Sequence, residues 1–174
     1  MTADRKSETI RSCPATRIYV KVIKQFIIWV DADACPKPIK VLVYRASDRL
    51  KIPVFLVANG FLQKPHHPLV SVVQVSKGFD VADNVILERM NSGDLVITQD
   101  VPLASEVVAQ GGYGLNPRGS WYDKESVKSY LRRRNEREEL REAGLVQGGP
   151  PPFSQKDTQQ FARAFDQFLA RVKR

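Results

Sequence analysis

From residue 26 onward, short apolar runs alternate with stretches in which apolar residues recur every three or four positions. Residues 26–30 (FIIWV), 53–58 (PVFLVA), 70–75 (VSVVQV) and 94–98 (DLVIT) have strand length and are mostly apolar on successive positions. That is the pattern of strands buried on both faces. Between and after them, 38–50, about 80–91 and about 102–109 carry helical periodicity, and 112–115 (GYGL) adds another short run. Strands alternating with helices imply a parallel sheet covered on both sides, so an α/β fold is expected.

The pattern changes after this unit. Residues 123–143 read as one long charged helix, with Asp123 as its N-cap and Gly144 as its stop. GGPPPF at 148–153 breaks the chain, and Ser154 with Asp157 resembles a capping box, with Asp in place of Glu. Phe161, Phe165, Phe168 and Val172 then follow at spacings of 4, 3 and 4, one face of a helix over 154–172 that should pack into the core. Residues 1–20 are polar without sustained period and read as a mobile arm, which leaves 21–174 as a single domain including both C-terminal helices.

Composition narrows the class. A chain of 174 residues with 43% apolar content can bury one ordinary core. The run at 26–30 is far short of the roughly 20 residues that span a bilayer, and 1–25 lack the apolar run of a secretory leader. Cys13 and Cys35 fit neither a disulfide framework nor a metal-ligand spacing, so free thiols in a reducing cytoplasm are expected. The net charge of +8 is segregated: residues 1–25 hold six Lys or Arg against two Asp or Glu, residues 26–110 eight against nine, and residues 111–174 thirteen against eight. Basic ends attract polyanions, whereas an acidic middle repels phosphate unless a cation sits there.

The acids of that middle segment fall where an open parallel sheet collects function, at the carboxyl ends of strands. Asp31 and Asp33 follow the first strand and, in extended backbone, would point the same way. Asp80 and Asp83 open the second helix three residues apart, and Asp100 follows DLVIT. Asp80 and Asp94 read equally well as helix caps. Crowded carboxylates repel, and a divalent cation is the usual compensation; oxygen ligands without Cys or His favour Mg²⁺ or Mn²⁺ over zinc. His66 and His67 lie in a proline-flanked turn and read as exposed loop residues, and Cys35 as a buried thiol beside a helix start. Asn59 is either a turn residue or a polar group facing the same crevice. Arg118 suits a phosphate fork or the surface, and Arg132, Arg133 and Arg134 form either a solvated face or a guide for a phosphate backbone.

These phrases together resemble the YaiI/YqxD family of bacterial proteins, a branch of the PIN-like nuclease fold. The resemblance is carried by VDADACP at 30–36, VAN at 57–59, KGFDVADNVI at 77–86, GDLVITQDVPLA at 93–104, NPRG at 116–119 and GGPPPF at 148–153, with Asp157 and Phe161 beyond. It implies a three-layer, Rossmann-like PIN domain in which acids after the first strand, in a middle helix and after a later strand hold metal. By position these are Asp31, Asp83 and Asp100, with Asp33 and Asp80 as helpers. No clear counterpart exists for a further acid from an intermediate helix, and Asp33 or Asp80 would have to substitute.

A metal-dependent phosphodiesterase acting on nucleic acid, RNA more than DNA, is therefore the leading expectation, although the resemblance itself brings no established substrate. Asp31, Asp33, Asp83 and Asp100 would be catalytic and Asp31, Asp80, Asp83 and Asp100 metal-binding, while Asn59, Arg118, Arg132, Arg133 and Arg134 would face the substrate. Two other classes fit parts of the sequence. DADAC also resembles the start of haloacid-dehalogenase-like phosphohydrolases, with Asp31 as nucleophile, although there the later GDxxxD acids share a loop and here DLVIT stands between Asp94 and Asp100. A non-catalytic RNA-binding module would use the basic ends alone.

Overall fold

The computed structural model describes residues 26–78, 80–145, 148–149 and 151–172; the arm expected over residues 1–20, with Cys13, lies outside them. β1 (Ile28–Asp31) leads through α1 (Lys37–Leu50) to β2 (Val54–Ala58) and, by the loop 59–69, to β3 (Val70–Gln74). α2 (Val81–Arg89) then carries the chain to β4 (Leu95–Ile97), and α3 (Val101–Ala109) to β5 (Tyr113–Leu115) and β6 (Trp121–Tyr122). α4 (Lys124–Glu142) and α5 (Gln155–Val172) follow. The six strands lie in the order β3-β2-β1-β4-β5-β6, parallel except for β6.

This is the expected α/β architecture, consistent with a three-layer PIN-like domain. β6 was not expected, because two residues are too few to show a period. The chain leaves β1 on one side for β2 and β3, then returns to its other side for β4. The reversal makes a topological switch point between the carboxyl ends of β1 and β4, where a crevice opens in sheets of this kind.

Strand periodicity decides what each face carries. Ile28 and Val30 of β1 pack with Leu56, Leu95 and Ile97 against α1 and α5. Trp29, Val57 and Val96 turn the other way, against Ala82 and Ile86 of α2 and Leu103 and Val107 of α3. The aromatic stripe of α5 is core as expected, with Phe161, Phe165 and Phe168 buried, each worth about 1.5–3 kcal/mol of hydrophobic stabilisation. Asp123 caps α4 through the amides of Glu125 and Ser126, and Ser154 and Asp157 bond reciprocally at the start of α5. Only the first turns of α4 touch the body, through Val127, Tyr130 and Leu131; residues 132–145 are exposed.

NPRG closes the far end of this core. The Arg118 guanidinium donates to Asp157 Oδ2 at 2.8 Å and to the Pro151 carbonyl at 2.6 Å, and its carbon lies 5.7 Å from the Phe153 ring centroid. Gly119 has φ +90°, and a Cβ there would sit 2.5 Å from the Gln160 carbonyl carbon. Only glycine permits that approach to α5.

At the amino edge, Asp94 is 3% exposed and accepts from the amides of Ile27 (2.9 Å) and Asn91 (2.9 Å) and from Trp29 Nε1 (3.1 Å). Asp94→Ala leaves these donors without an acceptor. It should cost about 3 kcal/mol in urea denaturation, since a buried donor deprived of a charged partner loses more than a neutral bond is worth.

Candidate functional site

β1 ends at Asp31 on the side of the sheet that carries Trp29, and Thr98, following β4, lies on the corresponding side after Val96. Adjacent strands therefore bring the two together: Thr98 Oγ1 donates to Asp31 Oδ2 at 3.1 Å. The same hydroxyl oxygen accepts from the Asp100 amide at 2.9 Å. One threonine thus couples the acids at the ends of two strands, with the Tyr122 hydroxyl on its carbonyl at 3.3 Å. Asp100 is the N-cap of α3, its Oδ1 accepting from the Leu103 amide at 2.9 Å.

α2 starts on this same face and places Asp83 in its first turn. Burial, and then the charges of Asp100, Asp31, Asp80 and Glu106, push its carboxyl up to about 6. A helix N-terminus favours the anion by about 0.3–1 kcal/mol, so burial and repulsion outweigh it here. Asp31 is also raised: burial is the main cause, Thr98 opposes it, and Asp33 and Asp100 add to it. Asp80, with φ 58°, occupies the N-cap position of α2 but makes no side-chain cap bond, so its capping reading fails.

The extended backbone assumed between Asp31 and Asp33 is not present, because β1 stops at Asp31 and residues 32–34 turn, yet the two charges still interact. Asp33 accepts the Asn59 amide at 2.7 Å. Gln99 Nε2 on the Ala34 carbonyl (2.6 Å) and Lys40 Nζ on the Ala32 carbonyl (2.7 Å) fix the same turn from β4 and α1. The carboxylates of Asp31, Asp33, Asp80, Asp83 and Asp100 have no ion pair among the described residues. Neither do those residues contain three His, Cys, Asp or Glu side chains closed up around a metal position.

Other candidates sort differently. Arg118 is engaged by Asp157 and Pro151, so its fork serves the fold and not a phosphate. Arg132, Arg133 and Arg134 project from α4 into solvent, and no ion pair within that helix occurs among the described residues. Cys35 is buried as expected, its thiol pushed up to about 12 chiefly by burial, which removes it as a nucleophile. His67 is not the exposed residue that its turn suggested: its side chain is 10% exposed, Nδ1 accepts the Leu69 amide, and Nε2 lies 3.1 Å from Asp48. Sequence reasoning missed Thr98 and Glu106. The signal for Thr98 was present, since a hydroxyl at the last position of DLVIT precedes Asp100 by two residues.

A family model described as "Uncharacterized BCR, YaiI/YqxD family" matches residues 29–171. The UPF0178 protein of Aeromonas hydrophila subsp. hydrophila is 53% identical over 146 residues, 84% of this chain and 97% of that protein. Those of Maridesulfovibrio salexigens (49% over 144 residues, 83% and 95%) and Shewanella sp. strain MR-7 (47% over 152 residues, 87% and 100%) are similarly related. No solved structure matches.

The crowding at Asp83 has a stability consequence. Its folded carboxyl binds a proton more tightly than the unfolded one (about 6 against 3.8), so its contribution falls as pH rises between those values and stays unfavourable above. Asp83→Asn should therefore raise the metal-free Tm at pH 7, by about 2–4 °C for each kcal/mol of repulsion relieved, with the gain vanishing near pH 4. A metal-free Tm that drops at both pH values marks Asp83 as a structural residue instead.

Proposed function

The chain belongs to the YaiI/YqxD family, and we propose that within it this protein is a divalent-metal-dependent phosphodiesterase acting on RNA in the cytoplasm. The observation that carries this reading is the convergence of Asp31, Asp83 and Asp100 at the switch point, where Thr98 links Asp31 to the Asp100 amide and the charges of Asp100 and Asp31 add to burial in raising Asp83, without a basic partner among the described residues. The donor set is oxygen only, which fits Mg²⁺ or Mn²⁺. Mg²⁺ in particular keeps several waters and takes one or two carboxylates plus substrate phosphate, so it does not require a closed cage of three acids. One or two of Asp31, Asp83 and Asp100 would hold the ion directly and the remainder through its waters; when bound it would supply an activated water and neutralise charge on the phosphate.

The chain's own groups do the rest. Thr98 fixes Asp31 relative to Asp100, Asp33 holds the rim at Asn59, and Asp80, free of capping, orients the attacking water. Arg132, Arg133 and Arg134 guide the strand electrostatically. The phosphohydrolase alternative loses support, because Asp94 is a buried clamp at the amino edge and Asp100 is at the carboxyl edge of the same strand. The binding-module alternative draws on the absence of a preformed three-acid cluster among the described residues.

Hydrolysis of a labelled single-stranded RNA in Mn²⁺ or Mg²⁺ is the test. Asp31→Asn and Asp100→Asn should each lower the rate on the order of 100-fold or more, since several kcal/mol of metal-borne stabilisation is at stake. Changing Arg132, Arg133 and Arg134 to Gln should flatten the salt dependence of binding by about 0.7 for each phosphate no longer neutralised, without altering Mn²⁺ affinity. RNA that is bound but intact after long incubation would make the protein a binding module, and hydrolysis of p-nitrophenyl phosphate alone would restore the phosphohydrolase reading.

A further inference from the structure

The carboxyl edge of the sheet holds a second group of residues that hydrolysis does not use. Asn59 directly follows β2. Its amide is held by Asp33, yet its side-chain Oδ1 is buried and has no hydrogen-bond partner among the described residues. A buried acceptor without a donor is unfavourable, and a ligand N–H or O–H is one way to relieve it. Phe61, at most about 7 Å of chain further on, is 86% exposed. A Cβ built on Gly60 between them meets no atom within 4 Å, so the ring adjoins open space.

Lys77 follows the neighbouring strand, β3. Ala58 pairs with Gln74 at the end of the β2–β3 ladder, so Phe61 and Lys77 each lie three residues beyond the last pair, on the same edge. Lys77 is exposed and has no ion pair among the described residues. A single exposed aromatic is ordinary on a protein surface. An exposed aromatic two residues after an orphaned acceptor, with a cation that has no ion pair among the described residues at the matching position past the adjacent strand, offers the chemistry of one nucleotide: a π-face, polar edge groups and a phosphate.

We propose that Asn59, Phe61 and Lys77 form a subsite for one unpaired nucleotide of the RNA strand. Phe61 stacks on the base, Lys77 meets its phosphate, and Asn59 Oδ1 accepts from the base edge or the ribose hydroxyl. This rests on the RNA substrate proposed above and adds to it a requirement for single-stranded RNA, because a base inside a duplex already has both faces covered.

The experiment is fluorescence anisotropy of a labelled single-stranded RNA and of the same strand in a duplex, each measured in Mg²⁺ and in EDTA. Phe61→Ala should weaken single-strand binding about 5- to 150-fold, the span of base–aromatic stacking, and leave duplex binding within about twofold. Phe61→Trp should retain the affinity, Asn59→Leu should reduce it, and Lys77→Gln should lower the salt slope by about 0.7. Phe61 is exposed, so unchanged melting of its variants verifies the fold. Wild-type protein that binds no RNA in either buffer overturns both the subsite and the substrate reading. Wild-type binding that Phe61→Ala leaves unchanged, or weakens equally on strand and duplex, overturns the subsite alone. A change of oligomeric state in Phe61→Ala, with RNA affinity intact, reassigns the ring to a protein contact.

Discussion

Repulsion among carboxylates at the carboxyl edge of the sheet is the constraint around which this molecule is arranged. Folding brings Asp31, Asp83 and Asp100 to one rim because β1, α2 and α3 all meet there, and each approach costs free energy. Two of the acids sit at helix N-termini, which helps, but burial first and the neighbouring carboxylates second still push Asp83 up to about 6. The turns bearing the acids are consequently tied by neutral and backbone groups: Thr98 between β1 and β4, Gln99 onto Ala34, and the Asn59 amide onto Asp33. These bonds fix position without cancelling charge. The rim is left negative, and a cation can interact with it without first displacing an ion pair.

Asp94 makes the contrast plain. It is the same residue type as Asp83, which α2 carries, yet it lies at the amino edge of the sheet and accepts from three donors, two amides and an indole. Its carboxyl is fully committed to holding β4, the chain before β1 and the end of α2 together. What separates a structural acid from a chemical one here is the number of N–H groups aimed at it, not burial alone. Arg118 repeats the lesson with opposite sign. The Arg118 guanidinium is tied to Asp157 and to a carbonyl and so braces the fold, whereas Arg132, Arg133 and Arg134 stand on a projecting helix with no ion pair among the described residues.

Those distinctions mark where the sequence was legible. Apolar runs, helical spacing and capping residues revealed the alternation of strands and helices, the α4 cap at Asp123 and the buried face of α5, because each is set by local chemistry. The rim acids were legible for a related reason: in a parallel sheet, the residue after a strand is at the functional edge whatever the rest of the fold does. The failures are long-range. That Asp94 takes the Trp29 indole, that Arg118 reaches Asp157 and that His67 turns inward toward Asp48 all depend on contacts between residues far apart in the chain. Asp33 lies in a turn and not in extended strand because β1 ends at Asp31, two residues before the alternation suggests.

The separation of charge along the chain now has a spatial form: an acidic rim fixed to the sheet and a basic helix projecting from its side. On the proposed reading the two are thermodynamically coupled. A polyanion drawn toward α4 meets repulsion at the rim unless a cation is there, and the cation's affinity rises when phosphate replaces some of its waters. Each ligand must then strengthen the other by the same factor, since linkage between binding events is reciprocal. Had the acids been neutralised internally by arginine or lysine, the fold would be more stable and this coupling would vanish. On that reading, unbalanced charge at the rim would make cation and RNA binding interdependent, and the bonds from Thr98, Gln99 and Asn59 hold that charge in place.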